Sequence, residues 1–328
     1  MVDYQPLGDS GLVVSMVGIG CNAFGTRIDQ DTVDDIVDAA LDAGVNFFDT
    51  ADTYGRGLSE EMLGRALQGR RQDVVVATKF GMDMDGANGP DHGARASRRY
   101  VRRAVEASLR RLQTDHIDLY QLHQPDLVTP MEETLSALGE LVVEGKVRYI
   151  GCSNFAAWEV ADAHHVARQL GVPGYISAQN EYSLYNRVAE DELLPACRAL
   201  GLSVLPYFPL AYGLLTGKYE RGEDAPTGSR LSAEGQRRRL QNADFDRIDA
   251  LQAFADSRAI DLLTLAVSGL LAQAGVGSVI AGVSRPDQVA RNVGAASWRP
   301  ARSDLEELAG LNRDPLPGMS HRTYARRG

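Results

Sequence analysis

The stretch VDDIVDAALDAGVNFFDTADTY, from Val33 to Tyr54, contains one complete structural unit of this chain. Apolar residues at positions 33, 36, 37, 40 and 41 recur at the three- and four-residue spacing of an amphipathic helix. Gly44 then suits the left-handed backbone conformation that commonly ends a helix. The apolar run from Val45 to Phe48 follows at once and predicts a buried strand. The unit is therefore a helix, a glycine and a strand.

The same unit recurs along the chain. Gly145, Gly171 and Gly201 each follow a helical pattern and precede an apolar strand. Eight strands are predicted, nearly all separated by helical segments: Val14–Ile19, Val45–Phe48, Val74–Ala77, Ile117–Leu122, Val147–Ile150, Tyr175–Ala178, Ser203–Tyr207 and Ser278–Ala281. Eight such units close most economically into an α/β fold, the (β/α)8 TIM barrel. An open doubly wound sheet is the alternative, but the Gly-x-Gly-x-x-Gly turn that usually opens it is absent.

Three stretches lie outside the repeat. The segment from Gln5 to Val13, with GDSG at its centre, predicts an N-terminal hairpin that plugs the bottom of the barrel. The stretches Gly81–Ala96 and Gly213–Asp246 predict long loops at the C-terminal face, where they would form pocket walls or lids. A tail rich in Pro and Arg is expected to be flexible from about residue 312. We interpret residues 1–328 as one barrel domain.

The composition narrows the classes of function. The 328 residues carry a net charge of −10, and Lys and Arg are scattered through the predicted helices. An extended basic surface for DNA or RNA is therefore not expected. Cys21, Cys152 and Cys197 lie far apart and lack the spacing of a zinc site or a disulfide framework. This favours a reducing compartment and argues against structural zinc.

Two features bear on membranes and localisation. The N-terminus has no basic region followed by an apolar stretch, so no signal peptide is predicted and we expect a cytoplasmic protein. Leu262–Val283 has no charged residue, but Gln273, Gly275 and Gly277 divide it into a helix-like half and a strand-like half. We therefore do not expect this segment to span a membrane.

Four polar side chains come at or shortly after the ends of predicted strands: Asp49, Tyr54, Lys79 and His123. Parallel strands end at one rim of a barrel, so we expect these groups to converge. The ammonium of Lys79 would lower the pKa of Tyr54, and Asp49 would orient the lysine. His123 could donate a hydrogen bond to a carbonyl oxygen. Each residue alone could equally serve structure, as a cap, a salt-bridge partner or part of a turn.

Five motifs make the chain resemble the aldo-keto reductase family. They are NFFDTADTY at residues 46–54, ATKFG at 77–81, YQLHQPD at 120–126, KVRYIGCSNF at 146–155 and PLAYGLLTGKY at 209–219. The resemblance extends in order over nearly the whole chain. It implies that the four rim residues are the catalytic tetrad, with Tyr54 as general acid. The implied activity is NADP(H)-dependent reduction of aldehydes or ketones to alcohols.

The resemblance also implies an NADP(H) site without a separate Rossmann domain. Ser153, Asn154 and Gln179 match residues that hold the nicotinamide carboxamide, and Tyr207 matches the aromatic residue that stacks on the ring. Such contacts would expose one face of the ring for hydride transfer. Further cofactor contacts are expected from Gly20, Asn22, Pro209, Leu210, Gly213, Leu215, Gly217, Lys218 and Arg230.

The segment IAGVSRPDQVARN, residues 280–292, resembles the adenosine-phosphate site of the family. The residues expected to bind there are Gly282, Ser284, Arg285, Gln288 and Asn292. Amides at the start of its short helix could receive phosphate oxygens, and the two side-chain amides could reach the ribose and adenine. Arg285 is placed to pair with a 2′-phosphate, which favours NADP(H) over NAD(H). The arginines at 237–239 are expected to be solvated.

Two other functions stay open. Beta subunits of voltage-gated potassium channels resemble this family, so a cofactor-bound regulatory or redox-sensing subunit is the main alternative. The same chemistry could also run in the oxidative direction, in a sugar or alcohol dehydrogenase. For a reductase the expected substrate is a small carbonyl compound, and no metal is required. Phe24 and the Gly81–Ala96 loop are candidate substrate contacts, and Trp158 and Tyr182 also lie near strand ends.

Overall fold

The computed structural model describes residues 2–311, and its centre is an eight-stranded parallel sheet. A hairpin precedes the sheet, formed by β1 (Tyr4–Pro6) and β2 (Val13–Ser15). The barrel strands are β3 (Val17–Gly20), β4 (Phe47–Asp49), β5 (Val75–Phe80), β6 (Ile117–Leu122), β7 (Val147–Ser153), β8 (Tyr175–Glu181), β9 (Ser203–Tyr207) and β10 (Val279–Gly282). The predicted tail from about 312 lies outside the described residues.

Helices lie between successive barrel strands. They are α1 (Gln30–Asp42), α2 (Leu58–Ala66), α3 (Arg98–Leu112), α4 (Met131–Val143), α5 (Ala157–Leu170) and α6 (Leu193–Ala199), followed by α7 (Arg237–Gln241), α8 (Phe245–Asp256) and α9 (Leu262–Leu271) between β9 and β10, then α10 (Asp287–Gly294) and α11 (Arg302–Gly310). The Gly81–Ala96 stretch lies in the connection between β5 and α3, and we call it the β5–α3 loop.

The strand order is β10, β3, β4, β5, β6, β7, β8, β9, with every neighbouring pair parallel. The two end strands meet through a short parallel bridge next to β10. The amide of Val204 donates to the carbonyl of Gly275 at 2.8 Å, and the amide of Gly277 donates to the carbonyl of Val204 at 2.9 Å. The sheet is thus a nearly closed barrel, and the predicted (β/α)8 fold is confirmed.

The first helix shows why the repeated pattern gives this fold. The side chain of Asp29 accepts a hydrogen bond from the amide of Thr32 and caps the start of α1. The positions that repeat at helical spacing, from Val33 to Ala40, are buried. At the other end Gly44 has a φ of 81°, and the Val45 amide bonds back to the Ala40 carbonyl at 2.8 Å. The glycine therefore turns the chain directly into the next strand.

The first predicted strand differs from the structure. The predicted strand Val14–Ile19 is divided at Met16, whose amide bonds to the carbonyl of Asp3, so its first half belongs to the hairpin and its second half to the barrel. The alternation of apolar residues shifts by one position between Met16 and Val17, and this shift was the available signal of the division. Leu262–Val283 divides into α9 and β10, as predicted. Among residues 2–311 no helix is long and apolar enough to cross a membrane.

The hairpin closes the lower end of the barrel. Leu7, Leu12 and Val14 are buried and pack against inward-facing side chains of the strands, including Phe47 and Leu205. The connection between the hairpin strands is also hydrogen-bonded to the barrel, because the Gly8 amide donates to Ser203 Oγ at 2.7 Å and the Asp9 amide to the Gly201 carbonyl at 2.8 Å. The predicted plug is therefore present.

The cysteines Cys21, Cys152 and Cys197 are free and buried.

This plug generates a prediction about stability. Gly8 and Gly171 both have left-handed backbones, with φ of 53° and 65°. A Cβ at Gly8 would lie 2.6 Å from the Ile176 carbonyl oxygen, whereas a Cβ at Gly171 would meet nothing within 4 Å. Backbone strain costs about 1–2 kcal/mol in either alanine variant, and overpacking adds about 1–3 kcal/mol at Gly8 alone.

We therefore expect Gly8→Ala to lower the free energy of unfolding by about 2–5 kcal/mol and Gly171→Ala by about 1–2 kcal/mol. Urea unfolding followed by circular dichroism measures both losses. Equal losses would show that the plug is not held tightly against the barrel.

Candidate active site

The sequence predicted that four polar groups meet at the C-terminal rim of the barrel, and the structure brings them together. Asp49 is the last residue of β4, and Lys79 is the second-last residue of β5. His123 follows β6 directly, and its amide bonds to the Phe80 carbonyl at 2.7 Å. Tyr54 begins a 3₁₀ turn, Tyr54–Gly57, that follows β4. All four side chains therefore start from one end of neighbouring strands.

Lys79 is the centre of this group. Its Nζ lies 2.6 Å from Asp49 Oδ2, 2.9 Å from the Thr50 carbonyl oxygen and 3.4 Å from the Tyr54 hydroxyl. Lys79 is 0% exposed and Asp49 is 2% exposed, so the ion pair is buried. Burial alone would lower the pKa of Lys79, but Asp49 and Tyr54 together raise it. The lysine is therefore an ammonium ion held against the phenol.

The second carboxylate oxygen of Asp49 is also held by hydrogen bonds. Oδ1 accepts hydrogen bonds from Gln179 Nε2 at 2.8 Å and from Gln121 Nε2 at 3.1 Å. Gln121 was not predicted to be part of the site. It is a polar residue within the apolar strand β6, and this was the signal that could have identified it. Gln179 was predicted to contact a ligand, and its side chain is 2% exposed with its amide nitrogen bonded to Asp49. The carboxylate thus has its hydrogen-bonding capacity well satisfied.

The pKa of Tyr54 differs from the sequence expectation. Burial raises it above the ordinary value, and this effect outweighs the lowering by the nearby Lys79. The expected net lowering is therefore wrong, because desolvation disfavours the charged phenolate. Tyr54 remains protonated at neutral pH, which suits a proton donor.

His123 lies beside Tyr54, with ring centroids 6.1 Å apart and the rings nearly perpendicular at 81°. Burial, and then the charge of Lys79, hold the pKa of His123 well below its usual range. The imidazole is therefore neutral at pH 7. Its Nδ1 is buried and has no hydrogen-bond partner within residues 2–311.

A hydrogen-bonded group of polar side chains continues from this site across β7, β8 and β9. Asn154 Nδ2 donates to the His123 carbonyl at 3.0 Å, and Asn154 Oδ1 accepts from the Tyr207 hydroxyl at 2.8 Å. Ser153 Oγ donates to the Gln179 carbonyl at 2.8 Å. The structure thus brings the four predicted carboxamide and ring contacts next to the tetrad.

The chain after β9 has an unusual backbone. Phe208, Ala211 and Tyr212 have φ values of 52°, 45° and 60°, which non-glycine residues rarely adopt outside functional sites. The Arg230 guanidinium lies 4.8 Å from the Phe208 ring centroid and 5.1 Å from that of Tyr212. Arg239 lies 3.9 Å from the Tyr212 centroid, but its side chain is exposed, so the arginine stacks on the ring and is solvated, as expected for residues 237–239.

The other residues after β9 that were predicted to contact the cofactor differ in their burial. Leu215 is fully buried, while Gly217 and Lys218 are exposed. Gly213 has a φ of 97° and lies beside the Lys218 side chain. Pro209 and Leu210 lie between the two stacked aromatic residues, Phe208 and Tyr212, in the chain. They therefore belong to the same turn.

Across the barrel seam, the predicted adenosine-phosphate segment extends from β10 into α10. Gln288 Oε1 accepts from the amides of Ser284 and Arg285 at 2.7 and 3.1 Å. The side chain of Arg285 is exposed and pairs with Asp287 at 3.0 Å. Asn292 is buried at 4% exposure. Gln288 therefore accepts from two amides that immediately precede α10, next to the helix start that was predicted to receive phosphate oxygens.

Gly20 and Asn22, at the end of β3, lie next to this segment. Gly20 pairs with Gly282 in the sheet, and a Cβ at Gly20 would come within 3.4 Å of Gly282. A Cβ at Gly282 would lie 3.5 Å from Asn22 Oδ1, and this oxygen accepts a hydrogen bond from Arg27 at 3.3 Å. Both glycines thus allow a close approach at the end of the strands.

The predicted substrate contacts are only partly accessible. Phe24 has no exposed surface and packs in the hydrophobic core, so it offers a substrate no contact area, and Tyr182 is equally buried. Aromatic residues near strand ends are often core residues, and the sequence alone did not distinguish a core residue from a substrate contact. Trp158, by contrast, is 60% exposed near the start of α5.

Within residues 2–311 no three His, Cys, Asp or Glu side chains form a group that could hold a metal ion.

Comparison with known proteins leads to one family. The family model described as the aldo/keto reductase family matches residues 16–313. A probable voltage-gated potassium channel subunit beta of Oryza sativa subsp. japonica is 36% identical over 303 residues, which cover 90% of this chain and 91% of the relative. The uncharacterized oxidoreductase YrpG of Bacillus subtilis (strain 168) is 42% identical over 252 residues, covering 74% and 77%. The versiconal hemiacetal acetate reductase of Aspergillus parasiticus is 32% identical over 334 residues, covering 94% and 96%.

The matched region includes every barrel strand and all four rim residues. Fold, site geometry and sequence similarity thus agree, and the chain belongs to the aldo/keto reductase family.

Proposed function

We propose that this protein is an NADP(H)-dependent oxidoreductase that reduces aldehydes or ketones to alcohols. The observation that supports it most directly is the chain of contacts from Asp49 through Lys79 to the Tyr54 hydroxyl. It ends at a partly exposed phenol that lies beside a neutral imidazole. Such a group can polarise a carbonyl oxygen and deliver a proton to it.

The residues present fit a nicotinamide cofactor, which when bound supplies the hydride. Ser153, Asn154 and Gln179 would hold its carboxamide, and Tyr207 would stack on its ring. The left-handed turn after β9 and the half-buried Arg230 suit a pyrophosphate, because clustered cations and irregular backbone bind anions well. Burial, and then the charge of nearby Arg27, lower the pKa of Arg230. An anionic ligand would relieve this repulsion between cations.

Tyr54 would act as the proton donor. Its raised pKa keeps the proton on the phenol at neutral pH, and the Lys79 ammonium would stabilise the phenolate left after transfer. Asp49 would keep the lysine charged and oriented. Neutral His123 would donate a hydrogen bond to the same carbonyl oxygen and help orient the substrate.

The protonated form of Tyr54 is the one that donates a proton in reduction, and the phenolate is the base that oxidation of an alcohol would need. A sugar or alcohol dehydrogenase that uses the same residues is the alternative within this chemistry. The naming of one relative as a reductase supports the reductive assignment for this chain.

A regulatory or redox-sensing subunit is the second candidate. It is supported by the similarity to a probable potassium channel beta subunit over 90% of this chain. The two candidates differ in turnover, which a regulatory subunit does not require. Steady-state consumption of NADPH with a panel of aldehydes, ketones, dicarbonyls and sugars distinguishes them.

The pKa shifts predict how the rate of reduction depends on pH. Tyr54 is active when protonated, and its raised pKa means that the rate falls only when the pH rises above about 10. His123 is active when neutral, and its lowered pKa moves the loss of activity well below about pH 6.5. We expect kcat/KM for reduction to be constant between about pH 6 and 8. An inflection near pH 6.5 would contradict the neutral state of His123.

Tyr54→Phe removes the proposed proton donor and leaves the aromatic ring. We expect carbonyl reduction to fall by at least about a hundredfold, with NADPH binding retained. Tyr4→Phe is the matched control, since the Tyr4 hydroxyl bonds to the Gly44 carbonyl at the opposite end of the barrel. Stopped-flow kinetics and fluorescence titration measure the two properties. Near-normal turnover of Tyr54→Phe would overturn the proposed function.

Arg285→Ala tests the preference for NADP(H). Loss of a charge-assisted contact to the 2′-phosphate should raise the Kd for NADPH about tenfold or more and leave the Kd for NADH nearly unchanged. Arg302→Ala is the control, because it also removes an exposed arginine that is paired with a carboxylate, here Glu306. Equal weakening of both cofactors by Arg285→Ala would remove the argument for phosphate recognition.

A further inference from the structure

The β5–α3 loop contacts the segment that carries Tyr54 at two points. Asp52 precedes Tyr54 by two residues, and Arg56 follows it by two. From the loop, Asn88 Nδ2 donates to Asp52 Oδ2 at 3.0 Å, and Asp85 Oδ2 lies 2.6 Å from Arg56 Nη2. One loop therefore contacts the chain on both sides of the proposed general acid, through a buried hydrogen bond at Asp52 and an exposed ion pair at Arg56.

Asn88 is the main buried polar anchor of this loop. Between residues 82 and 95 only Met84 and Asn88 are buried, with Asn88 at 6% exposure. Asn88 Oδ1 also accepts from Arg111 Nη1 at 3.3 Å, and its Nδ2 lies 3.5 Å from the Tyr100 hydroxyl. Both of these partners lie on α3. The side chain thus joins a rigid helix to Asp52.

The charges around Asp52 explain why a neutral amide suits this position. Glu60 and Arg111 form a buried ion pair at 2.6 Å, and the second oxygen of Glu60 accepts from Thr78. This leaves Asp52 as an extra buried carboxyl group. Burial, and then Glu60, raise the pKa of Asp52 well above its ordinary value. A neutral Asp52 can bond to Asn88 without leaving an unpaired charge in the core.

The residues after Tyr54 have left-handed backbone conformations, in a segment whose Asp52 amide also bonds to the Lys79 carbonyl at 3.1 Å. Gly55, Arg56 and Gly57 have φ values of 59°, 55° and 95°. Two of these three residues are glycines, which adopt many conformations with similar energy. The Tyr54 hydroxyl is 3.4 Å from Lys79 Nζ, which is near the outer limit for a hydrogen bond. The position of the phenol therefore depends on what anchors the residues beside it.

We propose that Asn88 is a positioning residue for Tyr54, acting through its hydrogen bond to Asp52. The inference rests on the proposed function, in which Tyr54 is the general acid. Misplacement of a reacting group by about 1 Å can cost about a hundredfold in rate. Loss of this anchor therefore slows proton delivery and leaves the cofactor contacts on β7, β8 and β9 intact.

The first test is single-turnover reduction of para-nitrobenzaldehyde by enzyme with NADPH already bound. We expect Asn88→Ala to lower this rate about ten- to a hundredfold, with the Kd for NADPH changed by less than about twofold. Asn46→Ala is the matched control. Asn46 also makes two hydrogen bonds, to Val13 and Ser15, but at the opposite end of the barrel. Its loss should destabilise the fold without changing the rate.

A double-mutant comparison separates positioning from general damage. If Asn88 acts through the phenol, Asn88→Ala should have little effect on the residual rate of Tyr54→Phe. Purely structural damage would lower the rate by the same factor in both backgrounds, which would overturn the inference. The proposed function would then stand, because Tyr54→Phe alone would still show its loss. A Tyr54→Phe enzyme with the wild-type rate would overturn both.

Variants of Asp52 repeat the test from the other side of the bond, and they decide the matter if Asn88→Ala does not fold. Asp52→Asn keeps an acceptor for Asn88, whereas Asp52→Ala removes it. We expect the alanine variant to be slower than the asparagine variant by about fivefold or more in single turnover, with similar Kd values for NADPH. Equal rates for the two variants would contradict the proposal.

Discussion

The buried ion pair between Lys79 and Asp49 constrains the whole upper half of the barrel. A buried pair is stable only when its geometry is good and further hydrogen bonds replace the lost water. Here those bonds come from the Thr50 carbonyl, Gln121 and Gln179. These groups belong to, or directly follow, β4, β6 and β8. The strands must therefore keep their relative heights, so the contact that supports the phenol also fixes the register around it.

Much of the site could be predicted because parallel strands end at one rim. Asp49, Lys79 and His123 lie at or next to strand ends, so their convergence follows from topology alone. Gln121 lies within β6 and faces the site only because β5 and β6 pair in a particular register, with Lys79 opposite Gln121. The division of the first predicted strand at Met16 was marked only by a one-residue shift in the alternation of its apolar residues.

Electrostatic balance was the hardest property to obtain from sequence. The sequence motifs identify the charged residues near Tyr54. The direction of the pKa shift of Tyr54, however, depends on whether the raising effect of burial exceeds the lowering effect of Lys79. The contact between Asp52 and Asn88 joins residues 36 positions apart, and each lies in a loop without periodicity. Such contacts depend on tertiary packing, which local propensity does not encode. The regular elements were therefore predictable, and the loops that tune the chemistry were not.

The short bridge at Val204 has a mechanical consequence. The other neighbouring strands of the sheet are paired at two to five positions, but β9 and the chain entering β10 meet through this one residue near the lower rim. Local opening is easiest where few hydrogen bonds must break. The wall can therefore part most readily along its upper seam, between the turn after β9 and the start of α10.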